Sequence, residues 1–313
     1  MKKLTRTETA QILLAHDNFA IVTHRRPDGD TIGSSALLCM GLRQLGKNAH
    51  ILANPEITPK YTHLHQGLTK PAAEEGDFVV TVDVASSNML PDCFKTLTYD
   101  LRIDHHGSAN SFTPVELVEP EAAACGETVY HVLLEMGAEL DIPMANALYT
   151  AVSTDTGCFR YANTTADTFA VAAACAKAGA KVFQINQELF ETNSLARLQV
   201  QAWMLQNARF LQGGKVVICP LPKATEQEFG ANEDDLDNIS GFPRTIEGVK
   251  LAVTIREEGE GRVKMSVRAV PGQDAAALCA KFGGGGHKGA AGASMNATLD
   301  EAVTAIIAAL PVI

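Results

Sequence analysis

Acidic and histidine side chains that suit a divalent cation recur at four places in the first half of the chain. His24-Arg25-Arg26-Pro27-Asp28-Gly29-Asp30 follows the apolar run Phe19–Val22, and Pro27 and Gly29 force a turn where that run ends. Asp83 follows an apolar run over residues 77–82, and Asp104-His105-His106-Gly107 follows another over 101–103. Asp155 lies in Ser153-Thr154-Asp155-Thr156-Gly157, where a helical pattern over 145–153 runs out. A single Asp at such a point is more often a helix cap or a turn residue than a ligand. Four such places in one domain weigh against reading all of them that way.

His24, Asp28, Asp30, Asp83, His105 and Asp155 together offer four carboxylates and two imidazoles without a thiolate. That donor set suits manganese or magnesium better than zinc. Two such ions about 4 Å apart can share a hydroxide and clamp a phosphoryl oxygen for in-line attack at phosphorus. Without cations the carboxylates would repel one another, which is costly unless they serve a purpose.

Positioning these residues requires a sheet. Up to about residue 190, short strand-like runs at 19–22, 49–52, 77–82 and 101–103 alternate with helical patterns at 31–45, 121–137, 145–153 and 166–178. Such alternation predicts an α/β fold with a parallel sheet, whose ligands sit beyond the carboxyl ends of the strands. Residues 183–211 contain neither Gly nor Pro and read as one long, mostly helical stretch. A second, smaller α/β unit follows, with strands expected at 215–219, 250–256 and 262–270 and helices at 274–282 and 299–310. The expected division is 1–190 for a metal-binding domain, 191–212 for a helical linker, and 213–313 for a nucleotide-binding domain, with the active site in the cleft between the domains.

In the second unit, Gly283-Gly284-Gly285-Gly286-His287-Lys288 joins a glycine run to donors and positive charge. Four glycines can be a simple turn after a helix. They also let a backbone approach an anion closely, and with the cation beside them they make a plausible phosphate grip. Arg268, on the preceding strand, could pair with a phosphate or simply face solvent.

Composition narrows the partners. The chain has 313 residues and a net charge of −10, from 26 Lys and Arg against 36 Asp and Glu. That balance argues against gripping a long nucleic acid through many phosphates, but not against a short nucleotide in one pocket. The seven cysteines are odd in number and form no C-x-x-C pair, so reduced thiols are expected. No apolar run approaches the roughly 20 residues that cross a bilayer, and none follows the basic first residues. A cytoplasmic protein with no membrane partner is the expectation.

The ordered motifs resemble those of the DHH phosphoesterases: His24-x-x-x-Asp28-x-Asp30, Asp83, Asp104-His105-His106 and Asp155. Gly283-Gly284-Gly285-Gly286-His287 is similar to the glycine-histidine signature of the domain that follows the DHH domain in one subfamily. Size and motif order are most similar to the stand-alone oligoribonuclease and pAp phosphatase group. The resemblance implies two manganese ions, with magnesium or cobalt as substitutes, and short RNA oligonucleotides or pAp as substrates. By motif position, His24 and Asp28 would hold one ion and Asp30 and His105 the other, with Asp83 and Asp155 shared. His106 would contact the scissile phosphate and Asp104 would orient His105. Asn110, Arg268, Gly284, Gly285, Gly286 and His287 would hold the nucleotide, and Lys288 is added on charge alone. The resemblance leaves open hydrolysis of linear dinucleotides derived from cyclic di-AMP, a non-catalytic nucleotide sensor, and a homodimer.

Overall fold

The first strands of the chain assemble edge to edge with the ligand-bearing turns at one end. The computed structural model describes residues 2–107, 111–259 and 261–313. It divides into one unit over Met1–Thr192 and a second over Asn193–Ile313.

The first unit runs β1 (Lys2–Lys3), α1 (Arg6–Ala15), β2 (Phe19–Val22), α2 (Gly29–Gln44), β3 (Ala49–Leu52), β4 (Thr69–Lys70), β5 (Phe78–Val82), β6 (Leu101–Asp104) and β7 (Val115–Val118). Four helices follow: α3 (Cys125–Glu135), α4 (Ile142–Asp155), α5 (Ala166–Lys177) and α6 (Val182–Asn186). The seven strands form one sheet in the order β1-β7-β6-β5-β2-β3-β4, with every neighbouring pair parallel. Phe19, Ala20, Ile21 and Val22 are all fully buried, because β2 is central and covered on both faces. From β2 the chain proceeds outward through β3 and β4, whereas from β5 it proceeds the other way through β6 and β7. The adjacent strands β2 and β5 therefore flank the point where the winding reverses, and their carboxyl ends open a crevice there.

Two helices frame that crevice. Asp28 caps α2 by accepting from the Thr31 N–H, so the helix starts immediately beyond β2. α2 lies antiparallel to α4, and glycine permits the close approach. A Cβ on Gly29 would fall 2.4 Å from Thr154 Cγ2, and one on Gly33 would fall 2.4 Å from the Ala147 carbonyl oxygen. The start of α2 is thus pressed against the end of α4.

The long stretch expected to be mostly helical is broken. A π-turn at Gln187–Glu191 ends the α6 segment, and α7 (Leu195–Gln206) begins afresh on the Ser194 cap. The stretch then becomes a strand, β8 (Arg209–Leu211). α7 buries Val200 and Met204 among Val217, Cys219, Leu221 and Ala252 of the second unit.

The second unit continues with β9 (Val216–Leu221), α8 (Lys223–Glu228), β10 (Leu251–Gly259), β11 (Arg262–Ala269) and α9 (Ala275–Ala280). It ends with β12 (Gly285–Gly286), β13 (Ala290–Asn296) and α10 (Leu299–Ala309). Its sheet has the order β12-β13-β11-β10-β9-β8 and is mixed, β9 and β10 being parallel. β11 alternates strictly, with Val263, Met265, Val267 and Ala269 buried, which turns Arg268 to the other face. Among the described residues, no helix is long and apolar enough to cross a membrane.

Candidate metal centre

β2, β5 and β6 are neighbours, so their carboxyl ends bring His24, Asp83 and the Asp104-His105-His106 run together without any long connection. The first turn of α2 adds Asp28 and Asp30, and the last residue of α4 adds Asp155. All six residues expected as metal ligands from sequence fall in this one crevice. Their donor atoms form two sets, His24 with Asp28 and Asp83, and Asp30 with His105 and Asp155, each lying within 4.8 Å of one another. A third set, Asp83 with His105 and His106, joins them.

The histidine rings are held so that one nitrogen faces the acids. His24 Nδ1 contacts the Arg25 carbonyl at 2.7 Å, and His105 Nδ1 contacts the Ala122 carbonyl at 3.1 Å. A carbonyl only accepts, so each Nδ1 carries the proton and each Nε2 presents its lone pair. His24 Nε2 lies 3.9 Å from Asp28 Oδ1 and 3.8 Å from Asp83 Oδ2. His105 Nε2 lies 3.7, 3.6 and 3.5 Å from oxygens of Asp30, Asp83 and Asp155. These separations are too long for hydrogen bonds. Two atoms each about 2.1 Å from a shared ion lie roughly 3.0–3.4 Å apart, so the ring nitrogens and carboxylates are spaced almost as ligands.

Asp83 sits at the hub and is 2 % exposed. Its backbone adopts the left-handed region at φ 59°, a strained conformation for a residue with a Cβ. Its N–H donates to the Ile103 carbonyl at 2.9 Å and its Oδ2 accepts from Thr31 Oγ1 at 2.6 Å. Its Oδ1 is buried without a hydrogen-bond partner. A buried carboxylate oxygen left in that state costs on the order of 1–3 kcal/mol or more. A divalent ion beside it would remove that penalty, and the donor set fits such an ion.

The electrostatics agree. Burial, followed by the charges of Asp30, Asp28, Asp104 and Asp155, holds the Asp83 carboxyl well above its usual range. Burial and then Asp30 do the same for Asp155. Asp30 is also raised by burial, though His105, Ser34 and the Cys125 N–H oppose the shift. For His105, burial pulls downward but Asp30 and Asp155 outweigh it, so its net shift is upward. Two carboxylates within 4.8 Å repel by roughly 3 kcal/mol at an effective dielectric of about 20. A divalent ion in each set would cancel the charge of two carboxylates and supply that missing counter-charge.

Several supporting groups were not anticipated from sequence. Asp30 accepts from the Cys125 and Gly126 N–H groups at 2.7 and 3.0 Å, at the positive end of α3. Ser34 Oγ donates to Asp30 Oδ1 at 2.7 Å, a pairing that its i, i+4 spacing could have signalled. Thr31, which holds Asp83, is visible only once β5 is beside α2. Arg102 is fully buried and pairs with Asp104 at 3.3 Å and with Glu116 of β7 at 3.2 Å.

The resemblance implied that Asp104 orients His105, but its carboxylate does something else. Asp104 Oδ1 accepts from the His105 and His106 N–H groups, and it holds His106 Nδ1 at 2.8 Å. The ring it orients is therefore that of His106, whose Nε2 is left for a ligand, while the Ala122 carbonyl orients His105. Burial pushes the Asp104 carboxyl upward, but the His106 hydrogen bonds and the Arg102 charge hold it below the ordinary carboxylate range.

The residues expected to grip a nucleotide belong to the second unit, apart from Asn110, which lies outside the described residues. Gly285 and Gly286 are not a free loop: they pair with Gly292 and Ala291 as β12 against β13. A Cβ on Gly284 would fall 2.2 Å from the Gly292 carbonyl oxygen, and one on Gly286 would fall 2.6 Å from that of Ala290. Both glycines are thus required by the close approach of the two chain segments. His287 and Ala290 exchange backbone hydrogen bonds at 2.8 and 3.2 Å, closing a hairpin whose tip exposes His287 and Lys288. Arg268 lies on β11, opposite Ala290 of β13.

Comparison with known proteins agrees with these motifs. Residues 18–152 match the DHH family, N-terminal domain, and residues 213–311 match the DHHA1 domain. The chain is 34% identical over 294 residues to the bifunctional oligoribonuclease and PAP phosphatase NrnA of Thermus thermophilus, covering 93% of this chain and 88% of that one. It is 26% identical over 296 residues to the protein of the same name from Bacillus subtilis, covering 93% of each. The crystal structure of an exopolyphosphatase-related protein from Bacteroides fragilis has the same fold, with a TM-score of 0.86 at 24% identity, covering 97% of this chain and 95% of that one.

Proposed function

Because the chain belongs to the DHH family and is a hydrolase of phosphoester bonds, we propose that it cuts short RNA oligonucleotides to mononucleotides and removes the 3′-phosphate of pAp. The observation that carries this reading is the pair of acid-and-histidine sets meeting at the unpartnered Asp83 Oδ1. The two NrnA relatives, named for oligoribonuclease and PAP phosphatase activity, support the substrate class.

In this reading His24 and Asp28 would hold one divalent ion, Asp30, His105 and Asp155 would hold the other, and Asp83 would contribute to both. Oxygen-rich donors with two imidazoles and no thiolate favour manganese, with magnesium or cobalt as alternatives. Such ions, when bound, acidify water and polarise a phosphoryl oxygen. His106, with Nδ1 fixed by Asp104, directs Nε2 toward a phosphate oxygen and orients it. The hairpin carrying Gly284, Gly285, Gly286, His287 and Lys288, together with Arg268, is the proposed nucleotide grip.

The test is kcat/KM with manganese on a diribonucleotide, a five-residue RNA, pAp and linear pApA in parallel. Turnover of the short RNAs and of pAp is expected, and it should disappear in Asp155→Asn while the fold persists. Turnover of linear pApA alone would replace the substrate class, and no turnover of any of the four would refute the reading.

A further inference from the structure

The turn that follows Asp155 is strained and displays a cation that the chemistry above does not use. Gly157, Cys158 and Phe159 all have left-handed backbones, at φ 57°, 58° and 61°. For residues with a Cβ this conformation costs roughly 1–2 kcal/mol each, and consecutive instances are unusual. Neighbouring groups impose it. The Cys158 N–H donates to the Ser153 carbonyl at 2.6 Å, and the Phe159 N–H to Thr156 Oγ1 at 3.0 Å. The Arg160 and Tyr161 N–H groups both donate to the Thr156 carbonyl at 3.0 Å. Asn163 Nδ2 ties the returning chain to the Asp155 and Ala123 carbonyls at 3.2 and 3.0 Å. The Tyr161 ring lies over Gly157, where a Cβ would come within 2.3 Å of it.

This turn fixes the exposed side chain of Arg160. Its Nε donates to the Gly157 carbonyl at 2.5 Å. Gly157 is two residues beyond Asp155, so this hydrogen bond tethers the guanidinium to the segment that carries that carboxylate. Arg6, Arg25, Arg102, Arg209, Arg256 and Arg262 each pair with a carboxylate, as expected in an acidic chain. Among the described residues Arg160 pairs with no carboxylate, as is true of Arg26, Arg43, Arg197 and Arg244, but its guanidinium is held by the turn that follows Asp155.

We propose that Arg160 clamps a second phosphate of the substrate, one flanking the phosphate that is cut. With Nε occupied, its two terminal nitrogens are aimed together and can hold two oxygens of one phosphate. The strained turn sets the guanidinium in place before substrate arrives, so little side-chain freedom is lost on binding. The inference rests on the proposed phosphoester substrates and adds the residue that selects those carrying more than one phosphate.

The test compares ApA, which has only the scissile phosphate, with pApA and ApAp, in wild type, Arg160→Gln and Arg160→Lys. A charge-assisted contact of this kind is worth roughly a ten- to hundredfold change. Arg160→Gln should lower the preference for pApA or ApAp over ApA by that factor, mainly through KM. Arg160→Lys should restore part of the preference, and thermal stability and manganese affinity should match wild type. An equal effect on all three substrates, or none, overturns the clamp while leaving the hydrolase reading intact. A wild type that turns over none of them overturns both.

Discussion

Replacing Gly33 by Ala tests whether the contact between α2 and α4 positions the metal centre. In an exposed helix this substitution would stabilise the protein by about 1 kcal/mol, because glycine is the poorer helix former. Here the new Cβ would lie 2.4 Å from the Ala147 carbonyl oxygen, 2.9 Å from the Ala151 nitrogen and 3.0 Å from the Ala151 Cβ. The first two are backbone atoms, so no side chain can swing aside and one helix must move. Overpacking of that kind costs about 1–3 kcal/mol, and a backbone clash belongs at the upper end. Subtracting the propensity gain leaves a net loss of about 2 kcal/mol, or a fall of roughly 4–8 °C in Tm for a unit of this size. The shift also separates Asp30, at the start of α2, from Asp155, at the end of α4, so manganese affinity should fall as well. Thermal unfolding with and without manganese, together with calorimetric metal titration, measures both effects. A variant as stable as wild type with unchanged manganese affinity would refute the reasoning.

Three further outcomes follow from buried charge. His65 is 5 % exposed, contacts Ser35 Oγ at 2.9 Å, and is held by burial at a pKa of about 4. The unfolded chain takes up that proton near pH 6.5, so stability present at pH 7.5 is lost as the pH falls, by about 2 kcal/mol at pH 5 and about 3 below pH 4. Denaturant unfolding of wild type and His65→Gln at pH 7.5 and pH 5 should show the variant losing less, and identical losses would count against it. Asp83→Asn should raise the Tm of the metal-free protein at pH 8, because a carboxyl with a raised folded pKa loses stability as pH rises through that value. The same variant should lose turnover and the manganese-dependent rise in Tm. Arg102→Met strands the buried Asp104 and Glu116 and should cost about 3–5 kcal/mol. Adding Glu116→Gln should recover part of that loss, and an additive double variant would argue against the shared pairing.

Where a residue's environment is local, the sequence was enough. The Phe19–Val22 run, the turn after it and the motif order follow from hydrophobic pattern, turn chemistry and residue type, and they lead to a parallel α/β sheet with an acid-and-histidine centre. Non-local elements were harder to see. β13 is rich in Ala and Gly, which have little preference for a strand, and it exists because β11 offers it a ladder of partners. The stretch at 183–211 lacks Gly and Pro and reads as mostly helical, yet its end is drawn into the second sheet as β8 by pairing with β9. Within the centre, residue types pointed to the acids and histidines that the fold brings together, but not to their supports. The α3 amides on Asp30, Thr31 on Asp83 and the Ala122 carbonyl on His105 come from segments distant in the chain. Asp104 is the sharpest case: its place beside two histidines is fixed by sequence, but which ring it holds depends on side-chain direction beyond the end of β6. Spacing along a chain specifies which groups are available, whereas hydrogen bonds depend on angles and distances that only the packed strands and helices set.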